Sequence, residues 1–202
     1  MNQTALNTII EKFRPVTVEN AVKPEIAGEH GTKRCICVRG ERSCGKTTLL
    51  TDARDMLSSQ NFFTYFSFNQ EGDDVMKSIL KQLIVDYNNN KDSDFIESIK
   101  SYAYNKKSNE TDFDKGTILK FIHDCINCIE DKHVIFIIDD LDKADDFTVE
   151  MLEKLTEENE NLNVLFSCRI GFNNAALTNI IKHRANDLVT IELDPNPVSD
   201  AL

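Results

Sequence analysis

Gly40-Glu41-Arg42-Ser43-Cys44-Gly45-Lys46-Thr47 carries the spacing G-x-x-x-x-G-K-[ST], and its flanks say what it is built into. Before it, Arg34-Cys35-Ile36-Cys37-Val38 reads as a buried strand; after it, Thr48-Leu49-Leu50 opens a helical pattern. Strand, tight turn and helix in that order can cradle a phosphate group. Glycines let the backbone turn sharply, successive N–H groups line an anion nest, and the helix start adds the positive end of its dipole. On this reading the loop from Gly40 through Thr48 forms the cradle. Lys46 reaches the β- and γ-phosphates, and the Thr47 hydroxyl binds Mg²⁺. The plainer alternative is a glycine-rich turn between strand and helix with no ligand.

A second stretch decides between them. Val134-Ile135-Phe136-Ile137-Ile138-Asp139-Asp140 is a run of β-branched and aromatic residues that ends in two carboxylates. Such a run reads as a strand buried on both faces, as in a parallel sheet, with its acids at the carboxyl edge where open α/β sheets bind ligands. There Asp139 is placed to hold Mg²⁺ and Asp140 to polarise an attacking water. An acidic helix cap from Asp142 or Asp145 is the other way to read this cluster. Loop and acidic strand in this order imply binding of ATP or GTP. The lack of an Asn-Lys-x-Asp guanine motif favours ATP and ADP.

Composition narrows the class further. The chain has 202 residues, 41% of them hydrophobic, enough for one sizeable core or a core plus a small appendage. A formal net charge of −11 argues against a general nucleic-acid backbone binder. The longest apolar runs are far too short to span a bilayer, and Met1-Asn2-Gln3-Thr4 lacks the basic start of a signal peptide, so a cytoplasmic protein with no membrane partner is expected. Cys35 and Cys37 share one face of a strand, and Cys125 and Cys128 one face of a helix. These pairs could hold zinc, but free cysteine inside apolar patterns more often acts as a small hydrophobe. Cys44, near a helix N-terminus, is expected to be sensitive to alkylation.

Along the chain, residues 6–13 read as a short amphipathic helix stopped at Arg14-Pro15, and 16–31 as irregular. Further strands are expected at 62–68, 163–169 and 188–193, and helices at 48–59, 73–87, between the polar breaks at 88–92 and 106–112, and at 114–130, 147–159 and 174–183. Strands alternating with helices imply a doubly wound, mostly parallel α/β sheet flanked by helices. The expected organisation is an N-terminal helix and lead-in (1–31), a nucleotide-binding domain (32–194) and a C-terminal tail (195–202).

The order of these parts resembles the STAND NTPases, which include NACHT and NB-ARC domains, within the wider AAA+ class. The loop at 40–48, Asp139-Asp140-Leu141-Asp142, and the strand ending Ser167-Cys168-Arg169 look like Walker A, Walker B and sensor 1. Ile191-Glu192-Leu193-Asp194-Pro195 is similar to the strand that precedes the family's helical lid. The resemblance implies that Arg169 contacts the γ-phosphate side and senses whether ATP or ADP is bound; pairing of Arg169 with carboxylates among residues 139–145 is the competing reading. The family's Gly-Arg-Glu motif ahead of the first strand is missing, and the chain stops at Leu202, where the lid would begin. Glu11-Lys12-Phe13-Arg14-Pro15-Val16-Thr17 is also similar to a box in AAA+ clamp-loader subunits, which would set residues 14–18 against an adenine base. Asp-Asp-Leu-Asp is similar to KAP-type NTPases as well.

These resemblances imply a Mg·ATP-binding regulatory switch with slow hydrolysis, with protein partners or self-association. Here Lys46, Asp140 and Arg169 act on the phosphates, and Asp140 is shorter than the Glu usual in AAA+ motors. The rival reading is an AAA+ subunit working in an oligomer, with Arg184 as a candidate arginine finger. A small-molecule kinase and a nonhydrolysing nucleotide-binding module are the other classes considered.

Overall fold

The computed structural model describes residues 2–13, 35–60, 62–68, 75–87, 100, 103–104, 115–127, 134–159, 161–172, 174–183 and 188–194. Among the described residues five strands form one sheet: β1 (Cys35–Gly40), β2 (Phe63–Phe68), β3 (Val134–Asp139), β4 (Leu162–Cys168) and β5 (Leu188–Leu193). Their order is β2-β3-β4-β1-β5, and every ladder is parallel. The helices are α1 (Gln3–Phe13), α2 (Lys46–Ser59), α3 (Val75–Tyr87), α4 (Lys115–Asn127), α5 (Asp146–Glu158) and α6 (Ala175–His183). The α/β expectation holds, and "mostly parallel" becomes wholly parallel among the described strands.

The central strands explain their own composition. β3 and β4 are buried at every position, so neither face can carry a solvated residue. Their side chains divide with the two-residue period of a strand. Ile135, Ile137, Leu165, Ile36 and Val38 pack with α1 and α2. Val134, Phe136, Ile138, Val164, Phe166, Cys35 and Cys37 pack with α3, α4 and α5 on the other face. A one-residue slip in register would exchange the two sets, which fixes the pairing.

α1 belongs to this body. Asn2 caps it by accepting the Ala5 N–H at 3.1 Å, and the stripe Leu6, Ile9, Ile10, Phe13 is buried against α2 and the sheet. The proposed clamp-loader-like base pocket at 14–18, Cys128, Arg184 and the breaks at 88–92 and 106–112 lie outside the described residues.

β2 forms one edge of the sheet, where a strand's outward N–H and C=O groups invite pairing with another chain. Gln82 of α3 occupies that position. Its Oε1 accepts the Phe66 N–H at 3.0 Å, and its Nε2 donates to the Phe66 carbonyl at 2.8 Å, so one amide side chain stands in for a neighbouring strand. Replacing Gln82 by Ala should cost about 1–2 kcal/mol in urea denaturation and raise concentration-dependent self-association. Unchanged stability and a monodisperse variant would show that this edge is protected by something else.

Cys37 and Cys168 lie on adjacent strands with their sulfurs 3.5 Å apart. The hydrogen bond they share, together with burial, pushes the Cys37 thiol far above its ordinary range, and the same bond lowers Cys168. Cys37 is therefore a protonated core thiol whose described sulfur neighbour is Cys168. Among the described residues no cluster of His, Cys, Asp and Glu could hold a metal.

A polyanion cleft at the carboxyl edge of the sheet

The loop after β1 is shaped by two glycines. A Cβ on Gly40 would collide with Cys44 Sγ and lie 3.1 Å from the Leu193 carbonyl, so only glycine lets the loop fold back over β1 and β5. Gly45 precedes α2 with φ +92°, a left-handed conformation that any side chain would strain. Ser43 is left-handed as well, with φ 65°. Alternation into this region turns successive N–H groups to one side, and the first turn of α2 has no carbonyls of its own to satisfy them. The result is a nest of donors at the positive end of a helix.

Lys46 bends back across this loop. Its Nζ donates to the carbonyls of Gly40 at 2.9 Å and Glu41 at 2.8 Å, and the side chain is buried. Thr47 donates its hydroxyl to Asp139 Oδ2 at 2.6 Å, joining the loop to the end of β3. Asp139 Oδ1 accepts from Ser167 Oγ at 2.5 Å, and Ser167 Oγ in turn accepts the Asp140 N–H at 2.8 Å. Three elements thus meet through Asp139, which is itself buried. Asp140 leaves the strand in a left-handed conformation, φ 51°, a region that Asp tolerates better than most residues. Its Oδ2 pairs with Lys143 Nζ at 2.6 Å.

A cleft of about 560 Å³ opens over these groups. Arg42, Ser43, Gly45, Lys46, Thr47 and Thr48 line it from the loop, and Asp140, Lys143 and Arg169 from the strand ends. Gly40, Glu41 and Cys44 do not line it. The first two supply the carbonyls that hold Lys46, and Cys44 is buried in the core beneath, which removes the physical basis for ready alkylation. Asp139 sits behind Thr47. Four cations face one lining carboxylate, in a chain whose net charge is −11. Such local concentration of one sign is what attracts and holds a polyanion.

Arg169 pairs with an acid, the competing reading of the sequence, and also lies at the cleft. It lines the cleft, and its Nε also donates to Asp142 Oδ2 at 3.1 Å. The Asp142 side chain is only 3% exposed, and its Oδ1 has no hydrogen-bond partner among the described residues. The acidic-cap alternative holds for Asp145, which accepts the Thr148 N–H at the start of α5, while Asp139 and Asp140 stay with the cleft. Ser167 and Lys143 received no role from the sequence. Ser167 was visible only as part of the Ser-x-Arg match, and Lys143 as a cation three residues past Asp140.

A divalent cation can be tested against the residues present. A Thr hydroxyl and a buried Asp carboxylate meet at 2.6 Å beside the glycine loop. Hard oxygen donors, few in number, suit Mg²⁺, which keeps most of its waters. The donor set fits, with Thr47 and Asp139 as the residues that would hold it.

Comparison with known proteins agrees with this architecture. A family model described as Nephrocystin 3, N-terminal, matches residues 21–169. Among solved structures, a chain from Drosophila ORC bound to GC-rich DNA and Cdc6 matches with TM-score 0.56 and 16% identity, over 99% of this chain and 62% of that one. A chain from Drosophila ORC bound to DNA matches with TM-score 0.55 and 13% identity, over 98% of this chain and 97% of that one. At such identities the likeness concerns the fold, which is that of AAA+ P-loop ATPases. The chain spans less than two thirds of the first of these structures. No curated protein matches the sequence. No helix among the described residues is long and apolar enough to cross a membrane.

Proposed function

The chain belongs to the Nephrocystin 3, N-terminal family, a P-loop NTPase of the AAA+/STAND class, and from that premise we propose that it is a Mg·ATP-binding regulatory core that hydrolyses ATP slowly. The observation that carries this reading is the meeting of Thr47 and Asp139, 92 residues apart, under a cleft lined by four cations. In this proposal residues 32–194 form a cytoplasmic nucleotide-binding domain, with α1 packed on it. The loop N–H groups and Lys46 bind the phosphates of ATP or ADP, and Thr47 and Asp139 hold Mg²⁺. The metal, when bound, neutralises charge on the phosphate oxygens. Asp140 lines the cleft and orients the attacking water. Arg169, held by Asp142, presents a fixed guanidinium to the terminal phosphate.

Slow turnover follows from Asp140. Its carboxylate is one methylene shorter than Glu, so it reaches and holds a water less effectively than a longer base would. The test is nucleotide binding and single-turnover hydrolysis with ATP, ADP and GTP on the wild type and Asp140→Ala. Binding of ATP and ADP should be retained in the variant while turnover falls about 100-fold. Undiminished hydrolysis would remove Asp140 from the mechanism. Zero turnover by the wild type, with thermal stabilisation by ATP, would identify a binding module in which nucleotide completes the fold.

A second reading draws on the likeness to ORC chains, which are found in a DNA-bound assembly. In it this chain is one subunit of an AAA+ oligomer that receives an arginine finger from its neighbour. ATP-dependent assembly in light scattering, with turnover that rises with protein concentration, would favour it.

A further inference from the structure

Lys143 is the lining cation that pairs with Asp140, and neither the sequence nor the roles above give it a task. It closes the short 3-10 turn of residues 141–143, where its N–H bonds back to the Asp140 carbonyl at 2.9 Å. Its ammonium reaches Asp140 Oδ2 at 2.6 Å, and both side chains line the cleft beside Lys46 and Thr47. Asp140 is 25% exposed and Lys143 35%, so solvent screens the pair and exchange of partners is cheap.

Resting on the reading of this cleft as a nucleoside triphosphate site, we propose that Lys143 distinguishes a triphosphate from a diphosphate by transferring its ammonium from Asp140 to the terminal phosphate. Two anions compete for it. The carboxylate offers one charge and two oxygens; a terminal phosphate offers close to two charges and three oxygens, and forms the stronger charge-assisted bonds. The four-carbon stem of lysine lets the head group move without moving the turn. A diphosphate seated on the loop N–H groups and Lys46 carries no group beyond its β-phosphate, and Lys143 stays on Asp140.

Arg169 cannot take this part. Its Nε is committed to Asp142, and withdrawing it would leave a carboxylate that is only 3% exposed without its described cation. Of these two cations near Asp140, Arg169 is the fixed one and Lys143 the movable one. The transfer also removes the Lys143 ion pair from Asp140, so a triphosphate and a diphosphate leave different charges beside that carboxylate.

The test compares affinities of the full chain for ATPγS and ADP, both with Mg²⁺, in wild type, Lys143→Ala and Lys143→Arg. Lys143→Ala should lose about tenfold in ATPγS affinity and less than about twofold in ADP affinity, while Lys143→Arg keeps the wild-type ratio. Melting temperatures check that each variant is folded, and Lys143→Gln reads the same ratio if the Ala variant is not. Equal losses for the two nucleotides, or an unchanged ratio, overturn the proposal while leaving the site reading intact. Binding of neither nucleotide by the wild type overturns both.

Discussion

A Lys46→Ala variant should bind ATP and ADP at least about 100-fold more weakly than the wild type, and nucleotide should no longer raise its melting temperature. The size of the effect follows from where the ammonium is held. Nζ lies across the loop, bonded to the Gly40 and Glu41 carbonyls, in a side chain that is 6% exposed. A buried ammonium that already has its stem packed needs little reordering to meet a phosphate, so most of the charge-assisted bond appears as affinity. Without ligand the change should be modest. Two hydrogen bonds to loop carbonyls contribute about 1 kcal/mol each, which lowers the melting temperature by roughly 4–8 °C in a domain of this size. Isothermal titration and thermal melts separate the two effects. Wild-type affinity in Lys46→Ala would sink the assignment of this loop as the phosphate site.

The loop was legible in the sequence because its parts are local. Strand, glycines, Lys46 and helix follow one another within about 25 residues, and each states its role through backbone geometry or reach. The acidic end of β3 was legible for a similar reason, since only a strand buried on both faces is apolar over five successive residues. What joins those two stretches was not. Strand order is a property of the packed sheet, and it is β4, inserted between β1 and β3, that brings Ser167 beside Asp139 across a separation of 28 residues. The same insertion sets Cys168 against Cys37, so neither the pairing of Cys35 with Cys37 nor that of Cys125 with Cys128 foretold the thiol contact that forms. Cys44 shows the opposite failure. Its position in the motif suggested exposure to the ligand, but the turn at Gly40 folds it inward.

Arg169 shows why competing readings of one residue need not exclude each other. A surface arginine paired with an acid and an arginine that reads a phosphate look like alternatives in a sequence. In the folded chain Nε serves Asp142 while the side chain still lines the cleft, so the ion pair fixes a guanidinium where the proposed function has it meet a phosphate. Asp142 has one oxygen without a hydrogen-bond partner among the described residues, and its other oxygen fixes Arg169 at the cleft. Lys143 and Arg169 thereby divide the work of holding charge near Asp140.

Asp139→Asn should abolish the dependence of ATP binding on Mg²⁺ and lower turnover about 1000-fold, the second large effect expected here. The variant keeps the size of the side chain and an oxygen able to accept from Thr47, but it removes the charge that would balance a divalent cation. It also sets a carbonyl and an amino group where two hydroxyls now donate, so either Thr47 or Ser167 must turn its hydroxyl or lose its partner. Ser167 is fully buried and already accepts from the Asp140 N–H, so loss of its acceptor should destabilise the chain by about 1–3 kcal/mol. Asp139→Ala, which strands both hydroxyls, should sit at the upper end of that range. Affinities for ATP measured in Mg²⁺ and in a chelator, alongside urea denaturation, distinguish the charge from the scaffold. If Mg²⁺ still tightens ATP binding in Asp139→Asn, the metal is held elsewhere and the contact between Thr47 and Asp139 is a structural tie alone. If the metal response vanishes while stability falls only within that range, the carboxylate serves both as the anchor of three elements and as the ligand that the loop closes upon.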